Sequence, residues 1–351
     1  MPLQRLRRIL GRVAAAARRY DSSSLAILRR MAALRLGRGL RIEEAYFAGL
    51  LDPNAPSART VEFVSRGEFL RALRPFNAGP TGLVDDKAVF AAYAQSHGLA
   101  IPRTLALVTP PSAADGQGRP LRHDEDWALW LRESVPAAFV VKPAAGMGGR
   151  YVDFYQRRGE GAWLDGRPLT PGDLRRRLCV EARYGPAIVQ ERIRNHAALA
   201  RLSGSDALQC TRIVTVVAAS GGVEILVAFQ KLIVGANQID NFAGARTGNL
   251  VASVDRATGA LGDAWSDGAA CMEHPGTGRP IKGFSLPHWA AALALVQRAA
   301  LLFRPLRAIG WDVALTENGP VLVEGNSEWL AFGEKGLWYS RADLARLQRL
   351  F

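Results

Sequence analysis

The sequence predicts a mixed α+β fold that begins with a helical N-terminal region. Three observations support this prediction. Apolar residues recur at three- and four-residue steps in residues 3–20, and the centre of the chain contains apolar, β-branched runs separated by glycine-rich turns. The late segment GWDVALTENGPVLVEGN has the pattern of a hairpin. Helices followed by mixed helices and strands are typical of an α+β protein with more than one lobe.

The composition is that of a globular protein. Its 351 residues are 48% apolar, enough for a sizeable core and for two or three lobes. No apolar run approaches the roughly 18 residues of a membrane span, and recurring arginines interrupt residues 3–19, unlike a secretion signal. The three cysteines have no paired spacing, which disfavours a disulfide framework or a zinc site. We therefore expect a cytoplasmic protein.

Most of the positive charge lies in one segment. The formal net charge is +13, and residues 1–41 contain eleven arginines and a single acidic residue, Asp21. The rest of the chain holds 34 basic and 31 acidic residues and is close to neutral. Nucleic acid is not expected as a partner, because the charge is confined to this arm, which has only Tyr20 for base stacking.

The basic arm has two interpretations. Residues 3–20 place apolar side chains on one helical face and arginines on another, and a second helix is expected over residues 24–36. Such an arm either binds an anionic membrane surface or a partner, or packs its apolar stripe on the body with its arginines in water. Taken alone, the arm also leaves open a non-catalytic basic membrane-binding module.

The remaining helices and strands are predicted from the periodicity of apolar residues and from the positions of residues that break helices and strands. A helix is expected over residues 85–97, and residues 109–122, rich in Pro, Gly and Ser, are expected to form a loop between lobes. The other expected elements are strands at 101–108, 139–142, 151–155 and 187–193, hairpins pairing 209–219 with 223–234 and 308–316 with 320–324, and helices from 171, at 287–303 and at 340–350.

The late hairpin carries the strongest candidate metal site. If Thr316 pairs with Pro320 across the turn, Asp312 pairs with Glu324, and Asn326 lies two residues further on the same face. Two carboxylates directly opposite each other repel. A divalent cation relieves that repulsion, since Mg²⁺ prefers carboxylate and amide oxygens together with phosphate and water. The alternative is a surface hairpin whose charges face water.

A lysine and a glycine-rich loop form the second candidate site. In FVVKPAAGMGGRYV, a strand delivers Lys142, and a loop with Gly146, Gly148 and Gly149 leads into another strand. Glycines let backbone N–H groups approach phosphates, and the lysine adds positive charge; the alternative is an ordinary hairpin turn. Lys87 lies in the first turn of its helix, where the helix dipole disfavours a cation, and that placement fits an external anion.

A third signal is the segment AIVQERI, an apolar strand that ends in Gln190, Glu191 and Arg192. Backbone groups at a strand end can hydrogen-bond an adenine edge, and a nearby acid can bind ribose hydroxyls. An ordinary edge strand has the same pattern, so this signal gains its weight from the other two.

The order of these features along the chain resembles that of the ATP-grasp superfamily over about residues 84–330. The features are, in order, Lys87, Lys142 with its glycine loop, the VQE strand, and then Asp312, Glu324 and Asn326. The segments DNFAGARTGNLVASVDRATG, HPGTG, GFSLPHW and GWDVALTENGPVLVEGN are similar to the sugar-transfer-associated ATP-grasp family, also described as related to α-L-glutamate ligases. They extend the resemblance to about residues 40–335. It implies an ATP-grasp fold in which two α+β lobes clamp ATP, preceded by the helical N-terminal region.

The expected organisation then has four parts. Residues 1–41 form the basic amphipathic arm, and residues 42–122 form a helical N-terminal region with the first lobe. Residues 123–205 form the nucleotide-binding lobe, and residues 206–351 form the catalytic and metal-binding lobe.

The resemblance also implies a role for each site residue. The residues expected to bind ATP are Lys87 and Lys142 at the α- and β-phosphates, Gly146, Gly148 and Gly149 over the β- and γ-phosphates, Gln190, Glu191, Arg192 and Ile193 at the adenine, and Glu191 or His196 at the ribose. The residues expected to ligate one or two Mg²⁺, or Mn²⁺ in its place, are Asp312, Glu324 and Asn326. Arg212 and Lys231 are expected beside the transferred phosphoryl group or the substrate.

The activity implied by the resemblance is that of an ATP- and Mg²⁺-dependent ligase. A small-molecule carboxylate would be phosphorylated to an acylphosphate and then attacked by an amine. An ATP-dependent kinase of a small molecule or sugar, whose product keeps the phosphoryl group, is the enzymatic alternative. The family description suggests surface-polysaccharide or cell-envelope biosynthesis, with the arm on the inner face of the membrane as one location.

Overall fold

A computed structural model of the chain describes residues 2–55, 57–146, 149–243, 246–266, 269–329 and 340–351. In the described residues, a series of helices precedes two antiparallel sheets. The helices before the first strand are α1 (Pro2–Arg19), α2 (Ser24–Arg38), α3 (Ile42–Phe47), α4 (Ser57–Glu62), α5 (Arg66–Leu73), α6 (Gly82–Asp85) and α7 (Lys87–Ser96), with a 3₁₀ turn at Arg74–Asn77. The two predicted arm helices are therefore confirmed as α1 and α2.

The arm packs on the body through its apolar stripe. Val13 and Ala16 of α1 and Ile27 and Leu34 of α2 are buried, in the same apolar cluster as Phe229 of the second sheet. This packing is the one that the second interpretation of the arm predicts. Binding to an anionic membrane surface stays a prediction. Among the described residues, no helix combines the length and the apolar character that crossing a bilayer requires.

Two residues of α2 allow the contribution of this packing to be measured. Ile27 is completely buried, whereas Leu25 is 56% exposed. We expect Ile27→Ala to lower the free energy of unfolding by about 2–5 kcal/mol, because it leaves a cavity under the arm. Leu25→Ala should change it by about 0.5 kcal/mol or less. Urea unfolding of both variants measures the difference, and equal values would show that the arm is not part of the folded core.

The first sheet has the strand order β2-β1-β7-β3-β4-β5-β6, with every neighbour antiparallel. Its strands are β1 (Thr104–Thr109), β2 (Ser112–Asp115), β3 (Ala138–Pro143), β4 (Asp153–Arg158), β5 (Gly161–Leu164), β6 (Arg167–Leu169) and β7 (Ala187–Glu191). Helices α8 (Asp124–Glu133) and α9 (Pro171–Arg175), the latter extended by a π-helical turn, pack on it. The helix predicted from residue 171 is confirmed as α9, and the Thr170 hydroxyl caps it by accepting a hydrogen bond from the Asp173 N–H.

The prediction of a loop over residues 109–122 is wrong in part. Ser112–Asp115 forms β2, which pairs with β1 through a tight turn at the edge of the first sheet. Pro110 and Pro111 form the turn of this hairpin. The division of the chain at residue 122 stays a prediction, and the first sheet has strands on both sides of it.

The second sheet has the order β12-β11-β10-β9-β8-β13-β14, again antiparallel. Its strands are β8 (Cys210–Val217), β9 (Val223–Leu232), β10 (Leu250–Val254), β11 (Leu261–Ser266), β12 (Ala269–Cys271), β13 (Ala308–Thr316) and β14 (Gly319–Asn326). The accompanying helices are α10 (Ala197–Ser203), α11 (Trp289–Leu302) and α12 (Arg341–Arg349).

The two faces of this sheet have different partners. Ile213, Trp311 and Val313 lie on the face that packs against α11. Val214 of β8 and Ala308 of β13 lie on the opposite face, in the cluster that contains the arm. Alternation along each strand therefore places the predicted site residues at 212 and 312 on the arm-side face.

The late hairpin pairs Asp312 with Glu324, as predicted, but not through the predicted turn. Thr316 pairs with Gly319 rather than with Pro320, which shifts the register by one residue. A bulge between the pairs that contain Val313 and Asp312 inserts one extra residue in β14 and shifts the register back. The two differences cancel at the carboxylate pair.

Candidate active site

The two sheets, the arm and the segments around them enclose a cavity of about 1130 Å³. His196 is the one described site residue predicted from sequence that does not line it. Gly148 lies outside the described residues. The predicted residues that line the cavity are Lys87, Lys142, Gly146, Gly149, Gln190, Glu191, Arg192, Ile193, Arg212, Lys231, Asp312, Glu324 and Asn326.

Two lysines meet at the end of β3. The Asp86 carboxylate caps α7 by accepting from the N–H groups of Ala88 and Val89, so that Lys87 is the first helical residue. The Lys87 N–H donates to the Ala144 carbonyl at 2.7 Å, which fixes the start of α7 against the strand that carries Lys142. The side chains of both lysines therefore line the same end of the cavity.

The environment of Lys142 suits a phosphate. Its side chain is buried, and burial lowers the pKa of its ammonium group below the ordinary value, although the Glu324 carboxylate acts in the opposite direction. A buried cation with little compensation gains when an anion arrives. The Lys87 ammonium donates to the Gly146 carbonyl at 2.8 Å, at the start of the glycine loop.

The glycine loop needs glycine for conformation and for space. Gly146 and Gly149 have φ values of 144° and 69°, a region that other residues rarely adopt. A Cβ on Gly149 would lie 2.6 Å from the Ile239 side chain. Gly149 thus lies close against the segment that follows β9 of the second sheet.

An apolar slot with polar edges lies on the first sheet. Val140 of β3, Phe154 of β4 and Ile193 after β7 line this part of the cavity. Gln190 is buried and donates to the Pro102 carbonyl at 3.3 Å, and Glu191 accepts from the Arg103 N–H at 2.9 Å. Apolar walls with a few polar groups at the rim are what a flat aromatic base requires.

His196 lies outside the lining of this cavity, and its predicted place near the ribose stays a prediction. It caps α10, with its Nδ1 accepting from the Ala198 N–H at 3.1 Å. Its Nε2 lies 3.4 Å from a Glu317 carboxylate oxygen, in the turn of the late hairpin. Glu191 is the member of the predicted ribose pair that lines the cavity.

A buried ion-pair network occupies the second sheet. The Arg212 guanidinium donates to both carboxylate oxygens of Asp312, at 2.6 and 3.0 Å, and the Lys231 ammonium lies 3.2 Å from one of them. Burial alone would raise the pKa of the Asp312 carboxyl, but the charges of Arg212 and Lys231 outweigh it and hold that pKa well below its usual range. Asp312 is therefore ionised, and a metal ion would share its oxygens with two cations.

Glu324 and Asn326 lie on the neighbouring strand. A Glu324 carboxylate oxygen is 3.5 Å from the Lys87 ammonium of α7. The Asn326 amide donates to the Gly310 carbonyl at 3.2 Å, which leaves its own oxygen as an acceptor. Within the part of the chain that the structure describes, no group of three His, Cys, Asp or Glu residues forms a complete metal site. Two carboxylates and an amide fit Mg²⁺ that takes its other ligands from phosphate and water.

Two residues of the site, Asp240 and Cys210, were not predicted from the sequence. Asp240 lies 3.3 Å from the Lys231 ammonium and also accepts from the Cys210 N–H at 2.7 Å. Burial raises the pKa of the Cys210 thiol well above its ordinary value, so it stays protonated and is a poor nucleophile. The available signal for Asp240 was its place at the start of the segment DNFAGARTGNL.

Comparison with known protein families decides the classification. Residues 70–336 match the family described as sugar-transfer-associated ATP-grasp. The chain belongs to this family. Its fold is accordingly the ATP-grasp fold, and both sequence predictions, of family and of fold, are confirmed. No curated protein matches the sequence significantly.

Solved structures with related folds include several ATP-grasp enzymes. The biotin carboxylase domain of 2-oxoglutarate carboxylase from Hydrogenobacter thermophilus, in complex with MgADP, ADP and bicarbonate, is 13% identical, with a TM-score of 0.41 over 70% of this chain and 40% of that one. L-amino acid ligase from Bacillus licheniformis is 14% identical, with a TM-score of 0.37 over 72% and 42%. D-cycloserine synthetase is 17% identical, with a TM-score of 0.38 over 76% and 69%. The chain thus spans less than half the length of the first two, and nothing about its substrate follows from these similarities.

Proposed function

We propose that this member of the family is an ATP- and Mg²⁺-dependent ligase that joins a carboxylate to an amine through an acylphosphate. The observation that carries the proposal is the arrangement of charges across one cavity. Lys142 lies on β3 of the first sheet, and Lys87 lies at the start of α7 beside the end of that strand. Glu324, Asp312 and Arg212 lie on the second sheet. Cations for phosphates therefore face oxygen ligands for a metal.

The nucleotide has a complementary surface on this chain. The base would lie in the slot of Val140, Phe154 and Ile193, with its phosphates directed toward Lys142 and the glycine loop. Glu324 and Asn326 would hold Mg²⁺ against the phosphates, with Asp312 as the further ligand. When bound, the metal neutralises charge that develops on the transferred phosphoryl group.

The remaining cations would serve the acid substrate. Arg212 and Lys231 lie on the second sheet beside Asp312, where they can hold a carboxylate in line with the γ-phosphate. A carboxylate oxygen bonds to the γ-phosphorus as the bond to the bridging oxygen breaks and ADP leaves. The amine then attacks the carbonyl carbon, phosphate leaves, and the amine's proton passes to solvent or phosphate. Positioning and electrostatics suffice, so no protein nucleophile is needed.

Product analysis tests the proposal. The protein is incubated with ATP, Mg²⁺ and pairs of carboxylates and amines, ADP release is measured, and the products are identified by mass spectrometry. We expect ADP release that depends on both substrates, with an amide as product. A stable phosphorylated acceptor formed without an amine would instead show a kinase. The family description directs the first set of acids toward sugar acids and other envelope precursors.

A further inference from the structure

The cavity of about 1130 Å³ is lined by the arm as well as by the two sheets. We call the part next to the arm its arm-side end; its lining includes Ile9, Arg12, Met31, Arg35, Phe242 and Trp329.

The arm-side end is continuous with the reaction centre. Arg212, Lys231 and Asp312 lie on the face of the second sheet that also carries Val214 and Phe229. Val214 and Phe229 belong to the apolar cluster in which the arm is buried. The arm and the residues of the phosphoryl-transfer centre therefore lie on the same face of the second sheet.

The chemistry of this end is amphipathic and basic. Ile9 and Met31 of the arm and Phe242 beyond the second sheet supply apolar walls. The guanidinium group of Arg12 lies over the Tyr46 ring, with 5.1 Å between its carbon and the ring centroid, and Arg35 is exposed at the mouth. Three arginines of the arm, Arg12, Arg35 and Arg41, line the cavity, and Glu43 and Glu44 of α3 follow them. The arm itself contributes no acidic side chain to the described lining, which favours an anionic group beside it.

We propose that the arm is the far wall of the acid-substrate site, and that this site binds an elongated amphipathic acid. Its reactive carboxylate lies beside Arg212 and Lys231, its apolar body lies along Phe229 and the arm, and a second anionic group, carboxylate or phosphate, lies at Arg12 and Arg35. The proposal rests on the ligase function proposed above and adds the class of its acid substrate.

Calorimetry of the full chain with chosen acids tests the proposal. The protein is saturated with Mg²⁺ and a non-hydrolysable ATP analogue and titrated with dodecanedioate, hexanedioate, dodecanoate and a twelve-carbon ω-phosphonocarboxylate. We expect the long diacid to bind at least about tenfold more tightly than the short diacid or the monoacid, because neither of these makes the charged contact at the arm. Comparison of the diacid with the phosphonocarboxylate identifies the preferred distal anion.

Matched arginines on α2 separate a specific contact from general charge. Arg35 lines the cavity, whereas Arg29 is exposed and lies outside it. We expect Arg35→Gln to weaken dodecanedioate binding about tenfold and to leave dodecanoate binding unchanged, whereas Arg29→Gln should affect neither. Both positions are exposed, so both variants should fold. A second pair, Ile9→Asn and Leu10→Asn, tests the apolar wall in the same way, since only Ile9 of the two lines the cavity.

Several outcomes would overturn the proposal. They are equal affinities for the long diacid, short diacid and monoacid, equal effects of Arg35→Gln and Arg29→Gln, and no binding of any acid. The titrations are repeated without nucleotide, so that the acid site is tested even if the analogue does not bind. Failure of the analogue to bind refutes the nucleotide site, whereas failure of the acids alone refutes only the arm-side site.

Discussion

Glu324→Gln is expected to reduce ATP turnover by about 10²–10³-fold while the protein stays folded. The substitution keeps the shape of the side chain and removes the charge that would hold Mg²⁺ against the phosphates, and losing one preorganised electrostatic contact at a reaction centre costs roughly 3–4 kcal/mol of barrier. The Glu324 side chain is 25% exposed and is not an apolar core contact. ADP release under saturating Mg²⁺ measures the effect.

A control on the same hairpin separates charge at the site from charge in general. Glu317 lies in the turn and accepts a hydrogen bond from the Ala197 N–H, outside the cavity. Glu317→Gln should keep turnover within about twofold of the wild type, because substitutions on the surface and away from the active site usually have small effects. Asn326→Ala should reduce turnover as much as Glu324→Gln does. Asp312→Asn should reduce turnover less if a second metal ion is optional. Full activity of Glu324→Gln would refute the metal assignment.

Arg212→Met is expected to lower the free energy of unfolding by about 3 kcal/mol. The variant leaves the buried Asp312 carboxylate with Lys231 as its remaining close cation, and removal of one partner from a buried ion pair typically costs about 3–5 kcal/mol. Turnover should also be lost, since Arg212 is placed beside the reacting groups. Urea unfolding measures the stability change independently of activity.

An exposed arginine pair provides the comparison. Arg346 donates to Glu224 at 2.7 Å, close to the 2.6 Å of the Arg212–Asp312 bond, but both side chains are partly in solvent. Arg346→Met should cost only about 0–1 kcal/mol, because water and salt screen the pair. The double variant Arg212→Met, Asp312→Leu should recover stability relative to Arg212→Met alone, since no buried charge then lacks its partner. Equal costs for the two arginine variants would mean that burial of the network is not what stabilises it.

The sequence was most informative where chemistry restricts the choice of residue. Lys142, the glycine loop and the carboxylate pair could be found because few other residue types fit phosphate or Mg²⁺. The register of the late hairpin was less accessible. A bulge adds one residue without changing composition, so the alternation between Asp312 and Glu324 could not reveal that Thr316 pairs with Gly319.

Contacts between distant segments were the least accessible. The helical period of residues 3–20 predicts an apolar stripe but not which surface covers it. The structure places that stripe against the second sheet, about 200 residues further along the chain. His196 shows the same difficulty, because the sequence did not reveal that its Nε2 lies 3.4 Å from a Glu317 carboxylate oxygen in the turn of the late hairpin.

The central claim is that the cavity binds a magnesium nucleotide through Lys142. Calorimetry with a non-hydrolysable ATP analogue, with and without Mg²⁺, tests it most directly. The wild type should bind the analogue in a Mg²⁺-dependent manner, and Lys142→Ala, shown to be folded by urea unfolding, should bind it at least about tenfold more weakly, because a charged contact to phosphate is lost. Equal affinity of the two folded proteins would contradict the claim.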